Sequence, residues 1–333
     1  MAWIERHWQS ITPVSALLYP ASLLYGAAAG ARRASTTPAR LPVPVIVVGN
    51  VTAGGTGKTP LTLWLAETLR GRGWMPGIVC SGYGGTGRGP QPVRPDSDPA
   101  ACGDEAVLLA RRGGCVVWAG ADRVAAARSL LAAQPGCDVV LSDDGLQHPA
   151  LARDFEICVV DAARGFGNGW LLPAGPLREP LSRLATVGAV VVNGGADAPH
   201  PSIARLPAGA PRFAMKLEGR EFRNLLDPGQ LAGPGLFHGK RVHAVAGIGN
   251  PQRYFRHLQE MGLDFTAHSF PDHYPFTASD LEYAGAEAVV MTEKDAVKCR
   301  RFATEMHWEL PVDAAPDPGL AALVLGKLQR RRK

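Results

Sequence analysis

The chain has 333 residues, of which 46% are hydrophobic, and this length suits about two domains with buried cores. The composition excludes a disordered chain and a small module without a core of its own. The formal net charge of +5 is modest, and we expect no nucleic acid partner. Six scattered cysteines without Cys-x-x-Cys or metal-ligand spacing predict reduced thiols in a cytosolic compartment rather than disulfides or zinc.

The N-terminal segment predicts a helix that meets a membrane. Residues 11–31 carry no charge, and the pair Arg32-Arg33 follows directly. Two prolines and several serines and alanines make the segment less hydrophobic than a spanning helix of about 20 residues, so a helix lying in the interface fits better. The aromatic residues that suit headgroup depth are Trp3, Trp8, Tyr19 and Tyr25. A helix packed on its own domain is the alternative, whereas Glu5 and the downstream nucleotide motif argue against a signal peptide.

The motif Thr52-Ala-Gly-Gly-Thr-Gly-Lys-Thr59 follows an apolar run at residues 45–50 and predicts a phosphate-binding loop (P-loop). Its glycines let the backbone turn N–H groups inward, and the helix beginning near Lys58 adds its positive end. Lys58 would reach the outer phosphates of a nucleoside triphosphate, and Thr59 would hold Mg²⁺. Thr52 replaces the usual first glycine, and an ordinary glycine-rich turn is the alternative. The predicted nucleotide-binding residues are Thr52, Ala53, Gly54, Gly55, Thr56, Gly57, Lys58 and Thr59.

Alternating strand and helix patterns predict an α/β fold, with a P-loop NTPase-like parallel sheet domain, a second, smaller α/β domain and an N-terminal membrane-associated helix. Strands are predicted at residues 45–50, 77–80, 116–118, 138–141, 155–160, 189–192, 241–246 and 288–291, and helices at 60–72, 104–112, 122–133 and 251–261. We predict a membrane-interface helix at 1–35, the P-loop domain at 36–212, the smaller domain at 213–315, and a C-terminal helix with a basic tail at 316–333. A proline- and glycine-rich stretch at 194–211 indicates where the first domain ends. A solvated tail is favoured over one that meets an anionic surface.

Acidic residues follow the predicted strands, at the end where a phosphate-binding enzyme needs a metal ligand. Asp143 and Asp144 come directly after one buried strand, and one of the two is predicted to face Mg²⁺ together with Thr59. Asp161 ends another strand, but acidic residues are common in turns, so it stays outside the predicted site. Asp104 follows a proline-rich loop and is either a functional carboxylate or a simple helix N-cap.

Several short motifs occur in one order along the chain. They are Ser81-Gly-Tyr-Gly84, Gly103-Asp-Glu105, Gly120-Ala-Asp-Arg123, Asp143-Asp-Gly-Leu-Gln-His148, Leu177-Arg-Glu-Pro-Leu-Ser-Arg183, Phe270-Pro-Asp-His273 and Thr292-Glu-Lys-Asp-Ala-Val-Lys298. In this order they resemble the tetraacyldisaccharide 4'-kinase family, from the N-terminal apolar segment to about Lys298. The resemblance implies an enzyme that uses ATP and Mg²⁺ to phosphorylate the 4'-hydroxyl of tetraacyldisaccharide 1-phosphate in lipid A synthesis. It also implies a peripheral or monotopic protein at the cytoplasmic face of the inner membrane.

The resemblance further implies roles for individual side chains. Asp104 accepts the proton of the sugar hydroxyl with assistance from His273, while Lys58 acts on the transferred phosphate. Since most of the chain separates Asp104 from His273, the active site is expected in a cleft between the two domains. Substrate-binding residues are expected at Tyr83, Glu105, Arg123, Arg178 and Glu179, with Gln147 as a weaker candidate. Without the resemblance, His273 fits an ordinary loop histidine and either arginine fits a structural ion pair.

Two other classes of function remain open. A P-loop ATPase or nucleotide switch would act on a protein partner at the membrane and use the second domain as a binding module. Guanine specificity is not supported, because the lysine of Thr292-Glu-Lys-Asp295 is adjacent to the aspartate, whereas the guanine-binding motif separates them by one residue. A membrane-anchored structural protein with a relic P-loop would need neither Asp104 nor His273.

Overall fold

A computed structural model of the chain describes residues 2–194 and 199–332. The α-helices are α1 (Ala2–Glu5), α2 (Pro13–Ser35), α3 (Lys58–Arg70), α4 (Pro99–Cys102), α5 (Asp104–Arg112), α6 (Arg123–Ala133), α7 (Pro251–Glu260), α8 (Glu293–Cys299) and α9 (Gly319–Arg332). Short 3₁₀ helices occupy Leu181–Thr186, Pro201–Arg205, Pro234–Phe237, Ala278–Leu281 and Arg300–Phe302. Positions 195–198 of the stretch predicted to end the first domain lie outside the described residues.

The strands form two sheets. They are β1 (Val45–Gly49), β2 (Pro76–Cys80), β3 (Gln91–Val93), β4 (Val116–Ala119), β5 (Val139–Asp143), β6 (Phe155–Asp161), β7 (Ala189–Asn193), β8 (Arg212–Glu218), β9 (Phe222–Asn224), β10 (Leu231–Ala232), β11 (Val242–Ala246), β12 (Thr266–Ser269), β13 (Ala288–Thr292), β14 (His307–Leu310) and β15 (Asp313–Pro316). In the described part of the chain, the first sheet has the order β15-β8-β7-β6-β1-β5-β2-β4-β3, and the second has the order β10-β9-β14-β13-β11-β12.

The first sheet places β1 between β5 and β6, and its strands from β8 to β4 run parallel. Every residue of β1, β5 and β6 is buried, as expected of apolar strands in a sheet covered on both faces. Leu65 of α3 and Leu109 of α5 belong to one core, and Leu130 of α6 to the other. The predicted α/β fold is confirmed, and the carboxyl ends of three neighbouring strands bring their polar residues to one edge.

The second sheet turns the loops after its parallel strands toward the first sheet. β12, β11, β13 and β14 are parallel neighbours, and β9 and β10 add an antiparallel edge. α7 packs Tyr254, Phe255 and Leu258 into the core of this sheet. α8 begins directly after β13 with Thr292 as its N-cap, whose side chain accepts a hydrogen bond from the N–H of Asp295.

The two sheets divide the chain differently from the predicted boundaries. β8 belongs to the first sheet, although the predicted boundary after residue 212 assigns nearly all of it to the second domain. β15 returns to the first sheet and pairs antiparallel with β8. α9 then packs Leu320, Val324 and Leu328 into the core beside α3 and α5. The chain therefore leaves the first sheet after residue 218 and rejoins it at residue 313, and these two crossings lie next to each other.

The N-terminal helix α2 rests on the protein along part of its surface. The hydroxyl of Ser22 donates to the carbonyl oxygen of Leu171 at 2.8 Å. Gly26 permits this approach, because a Cβ at that position would lie 2.7 Å from Cδ1 of Leu171. Leu17 and Leu24 are 82% and 74% exposed. By length and composition α2 is able to cross a membrane, with 23 residues and a mean hydropathy of 1.3 in its apolar window.

The aromatic residues predicted at headgroup depth differ in their surroundings. Trp8 is buried and its Nε1 donates to the carbonyl oxygen of Pro173 at 2.9 Å, so it packs on the protein instead. The Tyr25 hydroxyl donates to the carbonyl oxygen of residue 178 at 3.2 Å, which also directs it toward the protein. Tyr19 packs on Trp170 with 4.6 Å between ring centroids and remains exposed. The side chain of Trp3 lies outside the described residues.

Candidate active site

The P-loop joins β1 to α3 at the predicted position. Gly54 and Gly57 have φ angles of 92° and 94°, in the left-handed region that glycine adopts without strain. Gly57 is the N-cap of α3, so the helix begins at Lys58, as the P-loop motif predicted, two residues before the segment of helical spacing at 60–72. The free N–H groups of its first turn therefore face the loop and make that end positive. Thr52, which replaces the usual glycine, forms a β-bridge with Leu177.

Asp143 and Thr59 fit a magnesium ion. Oγ1 of Thr59 lies 3.2 Å from Oδ2 of Asp143. Two oxygens at right angles on an octahedral Mg²⁺, with bonds of about 2.1 Å, lie about 3.0 Å apart. The Thr62 hydroxyl donates to the other oxygen of Asp143 at 2.7 Å and fixes the carboxylate. Burial and the charge of Glu105 raise the pKa of Asp143 to about 6, so a cation beside it would favour its charged form.

Asp144 faces two cations at the end of β5. Its carboxylate oxygens lie 3.6 Å from Nζ of Lys58 and 3.2 Å from Nη1 of Arg178. Burial opposes the ionisation of Asp144, but the charges of these cations hold its pKa at about 2. Its φ of 47° is unusual outside glycine, and such strain is concentrated at functional sites. In this arrangement Asp143, rather than Asp144, stands beside Thr59.

Asp104 and His273 meet where the two sheets adjoin. Nδ1 of His273 lies 3.1 Å from both carboxylate oxygens of Asp104. Asp104 begins α5 and is only 5% exposed, and it also accepts a hydrogen bond from the N–H of Glu105 at 2.8 Å. His273 lies in the loop after β12 with a φ of 59°, the other non-glycine residue with positive φ in the described part of the chain. The structure therefore brings together two residues that only the family motifs connected.

Asp104 and His273 shift each other's pKa in opposite directions. The hydrogen bond to Asp104 raises the pKa of His273 above its usual value. Burial opposes the ionisation of Asp104, but the hydrogen bond from His273 and the nearby lysines Lys294 and Lys298 hold the pKa of Asp104 below its usual value. Nζ of Lys298 lies 3.8 Å from Asp104. The two groups therefore titrate as a pair and not independently.

Lys294 of α8 completes the cluster, although sequence analysis did not select it. Its Nζ lies 3.1 Å from Glu105, 3.2 Å from Asp272 and 3.3 Å from Nε2 of His273. Burial disfavours the charged form of Lys294, yet the surrounding carboxylates raise its pKa. The signal lay in the family motif Thr292-Glu-Lys-Asp-Ala-Val-Lys298, from which no residue was predicted to belong to the site. Glu105, expected to bind substrate, pairs with Lys294 in this structure.

Two other predicted substrate residues have opposite surroundings. Arg123 is only 2% exposed, and its Nη1 donates to the carbonyl oxygen of Gly120 at 2.6 Å, so it lies beneath the site rather than in the cleft. Burial lowers the pKa of its guanidinium. Tyr83 is exposed, and its ring lies edge-on to that of His273 with 5.0 Å between centroids. Tyr83 is therefore open to a ligand beside the Asp104–His273 pair.

Arg178, Gln147 and Glu179 form one polar network. Nη1 of Arg178 donates to Oε1 of Gln147 at 3.3 Å, and Nε2 of Gln147 donates to Glu179 at 2.7 Å. Glu179 also pairs with Arg183 at 3.3 Å and with Arg33 at 2.8 Å. Since Arg33 lies in the last turn of α2, this network connects the N-terminal helix to the edge of the site.

Comparison with known proteins shows which family the chain resembles. The profile of the family described as tetraacyldisaccharide-1-P 4'-kinase matches residues 14–329. The tetraacyldisaccharide 4'-kinase of Azoarcus sp. strain BH72 is 50% identical over 337 residues, which cover 100% of this chain and 97% of that protein. The protein of the same name from Aromatoleum aromaticum is 51% identical and covers 98% of this chain and 97% of its own length.

A solved structure is also similar. The crystal structure of LpxK from Aquifex aeolicus in complex with ATP has a TM-score of 0.77 and 27% sequence identity. The match covers 95% of this chain and 99% of that chain, so it includes both sheets and their connections. The family resemblance inferred from the ordered motifs is thus confirmed over nearly the whole length. The chain belongs to the tetraacyldisaccharide 4'-kinase family.

Proposed function

We propose that the chain transfers the γ-phosphoryl group of Mg²⁺-ATP to the 4'-hydroxyl of tetraacyldisaccharide 1-phosphate in lipid A synthesis. Family membership supports transfer to a hydroxyl group, and the related structure from Aquifex aeolicus contains ATP. The observation that carries the proposal is the contact of 3.1 Å between His273 and the buried carboxylate of Asp104. A P-loop alone would also suit an ATPase, whereas an added proton acceptor suits a hydroxyl nucleophile.

Gly249 lies close to both the P-loop and the loop that carries His273. A Cβ on Gly249, in the loop after β11, would lie 3.3 Å from the backbone N of Gly55 and 3.5 Å from Oδ2 of Asp272. Asp272 directly precedes His273 in sequence. This proximity supports a transfer in which a phosphate held by the P-loop and a hydroxyl beside Asp104 approach in line.

Asp104 is the proposed acceptor of the hydroxyl proton. As the sugar oxygen forms its bond to the γ-phosphorus, the bond from that phosphorus to ADP breaks and the proton moves to a carboxylate oxygen of Asp104. The imidazole of His273 orients this carboxylate through a hydrogen bond from Nδ1. Nζ of Lys294 lies 3.3 Å from Nε2 of His273, and because an ammonium only donates, Nε2 is the acceptor of this contact. The imidazole is then neutral and carries its proton on Nδ1, which donates to Asp104.

The end of β5 supplies the positive charge that the phosphates need. Lys58 and Arg178 both stand beside Asp144 and are the proposed phosphate contacts. Thr59 and Asp143 would hold Mg²⁺, which offsets charge on the phosphate oxygens. Tyr83 and the Arg178–Glu179 network are the proposed contacts of the disaccharide, since Tyr83 is exposed next to His273.

We propose that α2 lies in the interface on the cytoplasmic face of the inner membrane. The exposed side chains of Leu17 and Leu24 suit the boundary between headgroups and acyl chains. The bonds of Ser22 and Tyr25 hold the helix on the protein, which favours a helix lying along the membrane over one that crosses it. The lipid substrate would then keep its acyl chains in the bilayer while its sugars enter the cleft.

The test is to incubate the purified chain with Mg²⁺-ATP in the presence and absence of the lipid disaccharide. We expect phosphorylated lipid with the acceptor and little phosphate release without it. Equal phosphate release in both cases would instead support an ATPase or nucleotide switch. Lys58→Met should abolish transfer, whereas Lys240→Met, at an exposed position in the bend before β11, should not. Full transfer by Lys58→Met would contradict the proposal.

A further inference from the structure

The outer side of the P-loop is held by three side-chain amide or guanidinium donors. Asn50 donates to the carbonyl oxygen of Gly54 at 3.1 Å, Arg164 to that of Ala53 at 3.2 Å, and Asn193 to that of Thr56 at 2.8 Å. In a trans peptide the carbonyl and the following N–H point in opposite directions. Holding these carbonyls outward therefore turns the N–H groups of residues 54, 55 and 57 to the opposite side, toward a bound phosphate.

Asn193 is the most constrained of these supports. It ends β7, is fully buried, and lies so close to Gly57 that a Cβ on this glycine would collide with its Nδ2. An Asn amide has one donor end and one acceptor end, so it holds Thr56 only while Nδ2 faces that carbonyl. If the amide rotated by half a turn, Oδ1 would oppose the oxygen of Thr56 and repel it. A hydrogen-bond donor to Oδ1 must therefore fix the orientation of the Asn193 amide.

Arg253 is placed to set that direction. Its Nη2 donates to Oδ1 of Asn193 at 2.8 Å, and because a guanidinium only donates, the acceptor end of the amide must face it. Its Nη1 lies 3.3 Å from Oδ2 of Asp161. Oδ1 of Asp161 accepts hydrogen bonds from the N–H groups of Ala163 and Arg164, and thereby holds the turn that carries the second support. Arg253 thus acts on two of the three supports.

Arg253 belongs to α7 of the second sheet, whereas Asn193 and Asp161 end strands of the first sheet. The second sheet also supplies His273. We propose that Arg253 is a positioning residue that couples the second sheet to the P-loop, by orienting the Asn193 amide so that the loop N–H groups face the phosphates. The inference rests on the proposed binding of ATP by the P-loop. It goes beyond that function because it makes nucleotide affinity depend on a contact across the two sheets.

The experiment measures binding of a fluorescent ATP analogue with Mg²⁺ to the full chain, together with the KM for ATP and for the lipid acceptor. Arg253→Met should weaken nucleotide binding by about tenfold, the order expected when a charged hydrogen-bond partner is lost, and should leave the KM for the lipid unchanged. Arg253→Lys keeps the charge without the forked geometry and should lie between wild type and Arg253→Met. Arg256→Met, at an exposed position of the same helix, is the matched control and should bind as wild type.

A double-mutant cycle distinguishes positioning from direct contact. If Arg253 acts through Asn193, the binding losses of Arg253→Met and Asn193→Ala overlap, and the double variant loses less binding than the product of the two single losses. If Arg253 instead touched the nucleotide, the two losses would multiply, and the inference would be overturned. Melting temperatures identify any variant that loses binding because it unfolds. If Arg253→Met unfolds, nucleotide binding by Arg253→Lys tests the inference instead. Unchanged binding in Arg253→Met would overturn this inference alone, whereas a wild-type chain that binds no nucleotide would overturn the proposed function as well.

Discussion

Replacing Asp104 and His273, singly and together, tests whether they act as one unit. Asp104→Asn keeps the size of the side chain but removes the proton acceptor. The loss in kcat should be about 10³- to 10⁴-fold, within the usual worth of general base catalysis, or about 4 to 5.5 kcal/mol of barrier. His273→Asn leaves the carboxylate in place, still held by the N–H of Glu105 at 2.8 Å. Its loss should be smaller, about 100-fold or about 2.7 kcal/mol.

The double variant decides between cooperation and independence. Because His273 is proposed to act only through Asp104, the double variant should be no more than about threefold slower than Asp104→Asn. The coupling free energy between the two residues should then equal the full effect of His273, about 2.7 kcal/mol, to within about 0.7 kcal/mol. The assay is single-turnover transfer of labelled γ-phosphate to the lipid acceptor at saturating Mg²⁺-ATP. Asp264→Asn removes an exposed carboxylate before β12, at the opposite end of this strand from His273, and serves as the control. Losses that simply multiply, or an Asp104→Asn variant near wild-type rate, would refute the reasoning.

Three further results are expected. Burial raises the pKa of Asp143 to about 6, so the contribution of this group to the free energy of unfolding falls as pH rises from about 4 to 6. Mg²⁺ should therefore raise the melting temperature more at about pH 7.5, where Asp143 is charged, than at about pH 5, and equal shifts would contradict this. Leu17→Gln with Leu24→Gln should reduce flotation with anionic liposomes without changing the melting temperature, and undiminished flotation would argue against interfacial docking by α2. Arg112→Met should lower the free energy of unfolding in urea by about 3 kcal/mol, because it leaves the buried Glu293, bound at 2.7 Å, without its partner; a loss below about 1 kcal/mol would contradict it.

Local sequence determined the elements whose signal is contained in a few adjacent residues. The apolar run before Thr52 and the glycines after it specify a strand, a turn with positive φ and a helix start, and each depends on neighbouring backbone geometry. The acidic pair Asp143 and Asp144 was placed correctly at a strand end for the same reason. The ordered motifs then connected Asp104 with His273, which no local pattern joins.

Tertiary structure alone decided which side chains face each other across the two sheets. The pairing of β15 with β8 joins distant segments, so the predicted domain boundaries missed it. Arg123 appears in a family motif but is buried on Gly120, whereas Lys294 was passed over and lies against His273. Arg253 touches Asn193 only because two crossings of the chain bring α7 beside the end of β7. Hydrophobic periodicity records which face of an element is buried, but not which distant element covers that face.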